Sequence, residues 1–345
     1  MTSRTWFITG ATRGLGAIWT EAILKHGDRV AATARDVAAL QPLAGRYGDR
    51  LLPLALDVTD QAAVDAAVHT AEQRFGRIDI LVNNAGHMLT GAVEEVTAEQ
   101  ARAQMDVNYF GALWTTRAVL PGMRERRAGR ILQVSSIGGL VAYPALGLYQ
   151  ASKWALEAMS QSLAAEVAAY GVHVTLIKPI MFPTELATAS PQVTPDPAYA
   201  HAREALYAGA AASGFVPGDP SATAQALLAL ADTPNPPLRV LFGTNGLDAL
   251  RTEYAARLAG LATSPGTARA VRSKPYSSAP SRRSWCAPRP TRTAGPSRSS
   301  TTSGPSCRTT GRSSTSTSRP DLSTATTGRT PSRSRPTSAT GGAKA

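Results

Sequence analysis

Cysteine is nearly absent from this chain: there are two, Cys286 and Cys307, and both lie within residues 261–345. The first 260 residues have none, which excludes a structural disulfide or a cysteine-rich zinc site there. No run of about 18 apolar residues occurs, so no segment reads as a bilayer span. The opening Met1-Thr2-Ser3-Arg4-Thr5-Trp6 leads into an expected strand rather than an apolar signal stretch, and the expected location is cytoplasmic. Acidic residues are scarce in 261–345, with Asp321 alone against 15 basic residues, a local balance of +14. Residues 1–260 carry −2 of the overall +12. The basic character therefore belongs to the tail and does not mark the body as a nucleic-acid or membrane-surface binder.

The tail also lacks apolar periodicity. It holds 35 Ser or Thr in 85 residues and 10 prolines, too little apolar surface to repay the entropy of ordering. Residues 261–345 are expected to be a disordered, low-complexity Ser/Thr/Arg/Pro-rich segment. Out-of-frame translation of a GC-rich gene produces such a composition, and a genuine basic tail looks similar. With Tyr276 and Trp285 as its aromatics and no recognition fold, it offers nonspecific phosphate contacts and no specific nucleic-acid partner.

Residues 1–260 alternate short β-branched runs with helical periods. Strands are predicted over 6–9, 29–33, 51–56, 78–82, 131–135, 172–177 and 238–242. Helices are predicted over 17–26, 36–47, 61–75, 98–110, 111–126 and 149–170. The alternation argues βαβ units, a mostly parallel sheet and an α/β class. Residues 179–220 interrupt it with Pro, Ala and Tyr and no clear strand, as substrate-covering insertions and ordinary surface loops both do.

Thr9-Gly10-Ala11-Thr12-Arg13-Gly14-Leu15-Gly16 stands between the first strand and first helix. Such glycines permit a tight turn and close backbone approach, and the helix N-terminus offers unpaired N–H groups to a pyrophosphate. At the end of the second strand, an Asp or Glu would read the NAD ribose; this chain has Arg35, with Arg13 in the glycine turn. Two cations suit a 2′-phosphate and favour NADP(H) over NAD(H). Asp36 reads as a helix cap. Asp57 is placed to accept from an adenine amino group, or to cap the turn that follows, with Asp60 nearby.

Tyr149 and Lys153, four residues apart, share one helix face. A phenol is a weak base at neutral pH, but a nearby ammonium and a nicotinamide cation favour its phenolate. Ser136 is placed to donate to a reacting oxygen, and Asn108 to hold a relay water.

Taken together, these motifs resemble the classical short-chain dehydrogenase/reductase family over about residues 4–260. The resemblance rests on Thr9–Gly16, Asp57-Val58-Thr59, Asn83-Asn84-Ala85-Gly86, Asn108, Ser135-Ser136, and Tyr149 with Lys153. Family spacing selects Ser136 over Ser135. The resemblance implies a single Rossmann-like, doubly wound domain and hydride transfer between nicotinamide and an apolar carbonyl or alcohol, with no metal. It implies Tyr149 as acid/base, Ser136 as oxygen donor, Lys153 as cofactor anchor and Asn108 as relay. Thr9, Gly10, Thr12, Arg13, Gly14, Leu15, Gly16, Arg35, Asp57, Val58, Asn84, Ala85, Gly86, Tyr149, Lys153, Pro179 and Thr184 are the expected cofactor residues. Homodimers or homotetramers are the implied assemblies. A non-catalytic NADPH-binding regulator on the same scaffold is the alternative, against which the retained Ser136, Tyr149 and Lys153 argue.

One departure stands out. Pro179-Ile180 replaces the family Pro-Gly, and a β-branched residue does not adopt positive φ comfortably. Leu140, Val141, Tyr143, Leu146, Met181 and Phe182 are expected either to line an apolar substrate pocket or to pack in the core.

Overall fold

The chain's structure is a computed structural model that describes residues 3–180, 182–186, 190–212, 217–243 and 246–262. Nearly all of the expected tail, from 263 onward, lies outside the described residues, as does Met181.

Seven strands form one sheet: β1 (Thr5–Thr9), β2 (Arg29–Ala34), β3 (Leu51–Ala55), β4 (Ile80–Asn83), β5 (Gly129–Val134), β6 (Val172–Pro179) and β7 (Arg239–Phe242). Their order is β3-β2-β1-β4-β5-β6-β7, and every neighbouring pair is parallel. Nine α-helices flank it among the described residues: α1 (Gly14–His26), α2 (Gln41–Tyr47), α3 (Gln61–Phe75), α4 (Ala98–Met105), α5 (Gly111–Glu125), α6 (Gly147–Val167), α7 (Ala200–Ala212), α8 (Ala222–Asp232) and α9 (Leu247–Ala262).

Period-two alternation in β1 shows why both faces are covered. Trp6 and Ile8 enter one core with Trp19, Ile23, Leu132, Ile177 and Leu227. Phe7 enters the other with Val64, Val68, Leu81, Val119 and Ile131. A strand buried on both faces reads as a continuous apolar run, which is how Trp6-Phe7-Ile8 appears in sequence. The Trp19 indole donates to the Thr223 hydroxyl at 2.8 Å, locking α1 to α8. Connections from β1 run outward to β2 on one side, and the chain crosses back to β4 on the other. Ligands of such sheets bind at this reversal, outside the carboxyl ends of the strands.

The expected elements are present, with local differences. The helix expected over 36–47 is a short 3-10 turn followed by α2. The helix expected over 98–110 is α4 followed by a π turn, Asp106–Phe110, that leads directly into α5. Residues 179–220 contain α7, and Gln192 forms a parallel bridge with Thr90. Helix α8 was not anticipated. Its Ala- and Leu-rich sequence lies between Pro and Gly clusters that read as loop. No described helix is long and apolar enough to cross a membrane.

Candidate active site

The glycine turn is shaped by steric limits. Gly10 has φ +68°, and a Cβ on it would sit 3.0 Å from the Ala85 Cα. On Gly16 a Cβ would lie 2.1 Å from the Gly10 carbonyl oxygen, so only glycine lets α1 start that close to β1. Thr12 and Leu15 are half-buried, and the exposed Arg13 occupies the N-cap position of α1. The α1 N-terminus has no side-chain cap and no acidic residue in its first turn. Its orphan N–H groups and dipole thus suit an anion.

Thr9 and Asn84 hold this cradle from within. The Thr9 hydroxyl accepts from the N–H groups of Asn84 and Ala85, both at 3.0 Å. Asn84 Nδ2 donates to the carbonyls of Thr9 at 3.0 Å and Gly10 at 2.9 Å. Asn83 is buried, donating to Thr116 and Gln133. These side chains are committed to the protein. Val58 is also a packing residue: a Cβ on Gly111 would lie 2.6 Å from its Cγ2.

Arg35 is exposed just beyond β2. Among the described residues neither its guanidinium nor that of Arg13 has a hydrogen bond or ion pair. Asp57 Oδ1 accepts from the Thr59 N–H at 2.9 Å and hydroxyl at 2.8 Å, so the turn-capping role is realised. The Thr59 backbone bond is the main cause holding the Asp57 carboxyl below its ordinary range, with the Arg35 charge adding to it. Asp36 caps locally, accepting from the Ala38 N–H at 2.9 Å.

Ser136, Tyr149 and Lys153 converge at the carboxyl end of β5. Gly138 lies between the first two: a Cβ there would be 3.5 Å from both Ser136 Oγ and the Tyr149 ring. Ser136 Oγ accepts from the Gly138 N–H at 3.0 Å, which leaves its own proton for another acceptor. Burial pushes the Tyr149 phenol up, opposed by the Ser136 hydroxyl. Lys153, expected to draw the phenol down, stands off from it. The ammonium lies 5.9 Å from the ring centroid and donates to the Val134 carbonyl at 2.8 Å. Burial brings Lys153 down to about 8, against the pull of Glu157.

Asn108 is buried at the middle of the π turn, a local geometry that is frequent at functional sites. Its Oδ1 accepts from the His87 N–H, and its Nδ2 donates to the His87 carbonyl and the Ser152 hydroxyl, all at 3.0 Å. Both amide hydrogens are therefore committed within the protein. Gly86 packs against this amide, where a Cβ would lie 3.2 Å from Oδ1.

Ile180 resolves the question raised by its β-branch. The positive-φ residues other than glycine are Arg127 and Ala145 among those described, so Ile180 is not strained in that way. Its N–H donates to the Phe242 carbonyl at 3.0 Å, extending the pairing that ends at Pro179, and its buried side chain lies against Gly243 and Gly246. Thr184 approaches the glycine turn, 3.7 Å from where a Gly14 Cβ would stand. Phe182 packs against the α1 core and Gly218, and Val141 is buried. Tyr143 is exposed, while Leu140 and Leu146 are half-buried.

Two site residues escaped the sequence reading. Burial first, then the charges of Lys153 and Arg35, push the His87 imidazole below its ordinary range. It follows the Asn-Asn-Ala-Gly run directly, a position that could have flagged it. Glu157 follows Lys153 by four residues, the same spacing that paired Tyr149 with Lys153. Among the described residues, no three His, Cys, Asp or Glu side chains gather as metal ligands.

Residues 4–194 match the family model described as short chain dehydrogenase. Oxidoreductase BOA17 of Botryotinia fuckeliana is 39% identical over 263 residues, covering 74% of this chain and 93% of that protein. A short-chain dehydrogenase from Streptomyces avermitilis superposes with a TM-score of 0.71 at 36% identity, covering 78% of this chain and 99% of that one. A 3-ketoacyl-(acyl-carrier-protein) reductase from Brucella melitensis, complexed with NADH, gives 0.57 at 31% identity, with 66% and 90% covered.

Proposed function

Since the chain belongs to the short-chain dehydrogenase family of oxidoreductases, we propose that it interconverts an apolar carbonyl compound and its alcohol using NADP(H). The observation that carries this reading is the convergence of Ser136, Tyr149 and Lys153 beside the carboxyl end of β5. The glycine turn and the uncapped α1 N-terminus fit a dinucleotide pyrophosphate. Thr12, Arg13, Leu15 and Thr184 border that cradle, and Lys153 is the residue assigned to the nicotinamide ribose. When bound, NADPH supplies the hydride.

The protein's own groups supply the rest. Ser136 donates a hydrogen bond from its hydroxyl to the carbonyl oxygen and orients it, keeping its own proton. Tyr149, kept as the neutral phenol by burial, delivers a proton to that oxygen as negative charge develops on it. The ammonium of Lys153, fixed by Val134, stabilises the phenolate left behind. Alcohol oxidation reverses these steps. A relay water at Asn108 falls to its main chain, because the side chain is occupied.

NADP(H) preference rests on this chain's own cations. Arg35 and Arg13 are exposed and make no hydrogen bond or ion pair among the described residues. The residue that follows β2 is Arg35, and the next carboxylate, Asp36, is taken up by the Ala38 N–H. A homodimer or homotetramer acting on a small or medium apolar substrate in the cytoplasm completes the reading; light scattering tests the assembly. The central test is a screen of carbonyls and alcohols followed by NADPH absorbance, repeated with Tyr149→Phe. Turnover is expected to fall by about 10²–10⁴-fold while NADPH binding persists. Wild-type turnover in the variant would sink the assignment of Tyr149.

A further inference from the structure

Glu157 stands one turn beyond Lys153 on the same face of α6. Its buried carboxylate is met from three successive strands. Oε1 accepts from the Ser135 hydroxyl at 2.6 Å and pairs with the Lys178 ammonium at 2.8 Å. Oε2 accepts from Arg239 Nε at 3.0 Å. Ser135 directly precedes Ser136, Lys178 belongs to β6, and Arg239 opens β7. Gly139 closes the arrangement, since a Cβ there would lie 2.8 Å from Ser135 Oγ and 3.1 Å from Glu157 Cγ. The carboxylate is thus wedged under the turn that carries Ser136.

Stability alone does not explain such a cluster. Well-packed apolar residues commonly match or exceed a buried ion pair in stability. Lys178 is almost fully buried, and its ammonium makes no well-aligned hydrogen bond among the described residues, the Glu157 pair being its charge partner. Among the described residues, Glu157 is also the one carboxylate acting on either Lys153 or Lys178.

We propose that Glu157 is a positioning residue for the Ser136–Tyr149–Lys153 chemistry: its carboxylate ties the Lys153 turn of α6 to β5, β6 and β7, and places a negative charge one helical turn from Lys153. This rests on the catalytic reading above. Lys153 is faced by Tyr149 and Glu157 from α6 and by His87 from the segment after β4. Glu157 is faced by Lys178 from β6 and Arg239 from β7. Burial already favours the neutral amine of Lys153, and Glu157 opposes it. Removing the carboxylate removes that opposing attraction, so Lys153 sheds its proton at lower pH.

The test is Glu157→Gln in the full chain. The alkaline limb of kcat/KM is expected to move down by about one pH unit, and Glu157→Asp should restore most of the shift. Titration of ¹³C-labelled lysine side chains by NMR, with the Lys153 signal assigned through Lys153→Arg, reads the same shift without turnover. Because Glu157→Gln strands Lys178 and destabilises the protein, Glu157→Gln/Lys178→Met provides a charge-matched background in which the same downward shift is expected. An unchanged Lys153 titration in a folded variant overturns the proposal. If Tyr149→Phe abolishes turnover while Glu157→Gln keeps the wild-type alkaline limb, the inference fails and the catalytic reading stands. If the wild type turns over no carbonyl or alcohol, the catalytic reading fails, and the Lys153 titration still decides the charge role.

Discussion

The ammonium of Lys153 is bonded to the main-chain carbonyl of Val134 at 2.8 Å, two residues before Ser136. One strand end thereby sets the positions of both the cation and the hydroxyl. The arrangement has an energetic consequence, because the bond holds a charge where water is nearly excluded.

Lys153→Met is expected to stabilise the cofactor-free protein while removing activity. The folded-state pKa of about 8 lies below the ordinary 10.5, so the folded protein disfavours the ammonium. That cost is fully present below pH 8 and disappears as pH rises towards 10.5. It is on the order of 3 kcal/mol, of which the lost bond to Val134 cancels about 1. Denaturant melts at neutral and alkaline pH check the sign: the advantage of the variant should shrink as pH rises.

Arg35→Ala should weaken NADPH binding far more than NADH binding. A charge-assisted contact to the 2′-phosphate is worth roughly 1.5–3 kcal/mol, about 10- to 100-fold in affinity. Calorimetric titration with both cofactors decides it, and equal losses would reassign Arg35 to parts that the two cofactors share.

Gly16→Ala should abolish measurable cofactor binding and lower the melting temperature. Its Cβ would fall 2.1 Å from the Gly10 carbonyl oxygen and 2.5 Å from Asn84 Nδ2, so the turn and the Asn84 clasp must both move. Overpacking of this kind costs about 1–3 kcal/mol. NADPH fluorescence and calorimetry report the two effects; normal binding would show that the cradle yields easily.

Thr9→Val should loosen the Asn84-Ala85 segment, because two N–H groups lose their acceptor. Each stranded donor costs about 1–3 kcal/mol if it stays dry. Thr9→Ser keeps the hydroxyl and should recover most of the stability, whereas equal melting of both variants would show that the methyl group matters more.

Strands buried on both faces and glycine-punctuated turns made the sheet readable from sequence. Trp6-Phe7-Ile8 and Val30-Ala31-Ala32 are apolar at every position because each face meets a helix layer. Tyr149 and Lys153 were readable because a fixed helical interval places them together. The same interval reaches Glu157, but its partners Ser135, Lys178 and Arg239 come from three different strands, and register across a sheet is not written in local spacing. The π turn was hidden for a related reason. One extra residue per turn leaves no distinctive composition, and its anchor is the backbone of His87, 21 positions away from Asn108.

Ile180 carries a consequence for exchanging segments between relatives. Its side chain occupies space that Gly243 and Gly246 leave open, 3.2 Å and 3.1 Å from where their Cβ atoms would stand. The end of β6 and the approach to α9 therefore form a matched lock and key. Grafting a Pro-Gly end alone would open a void, and placing side-chain-bearing residues at 243 and 246 alone would collide with Ile180. Removing Ile180 would relieve that collision but not the backbone. Gly243 and Gly246 hold φ of +124° and +109°, so a chimera with both exchanges should still be strained at those two positions.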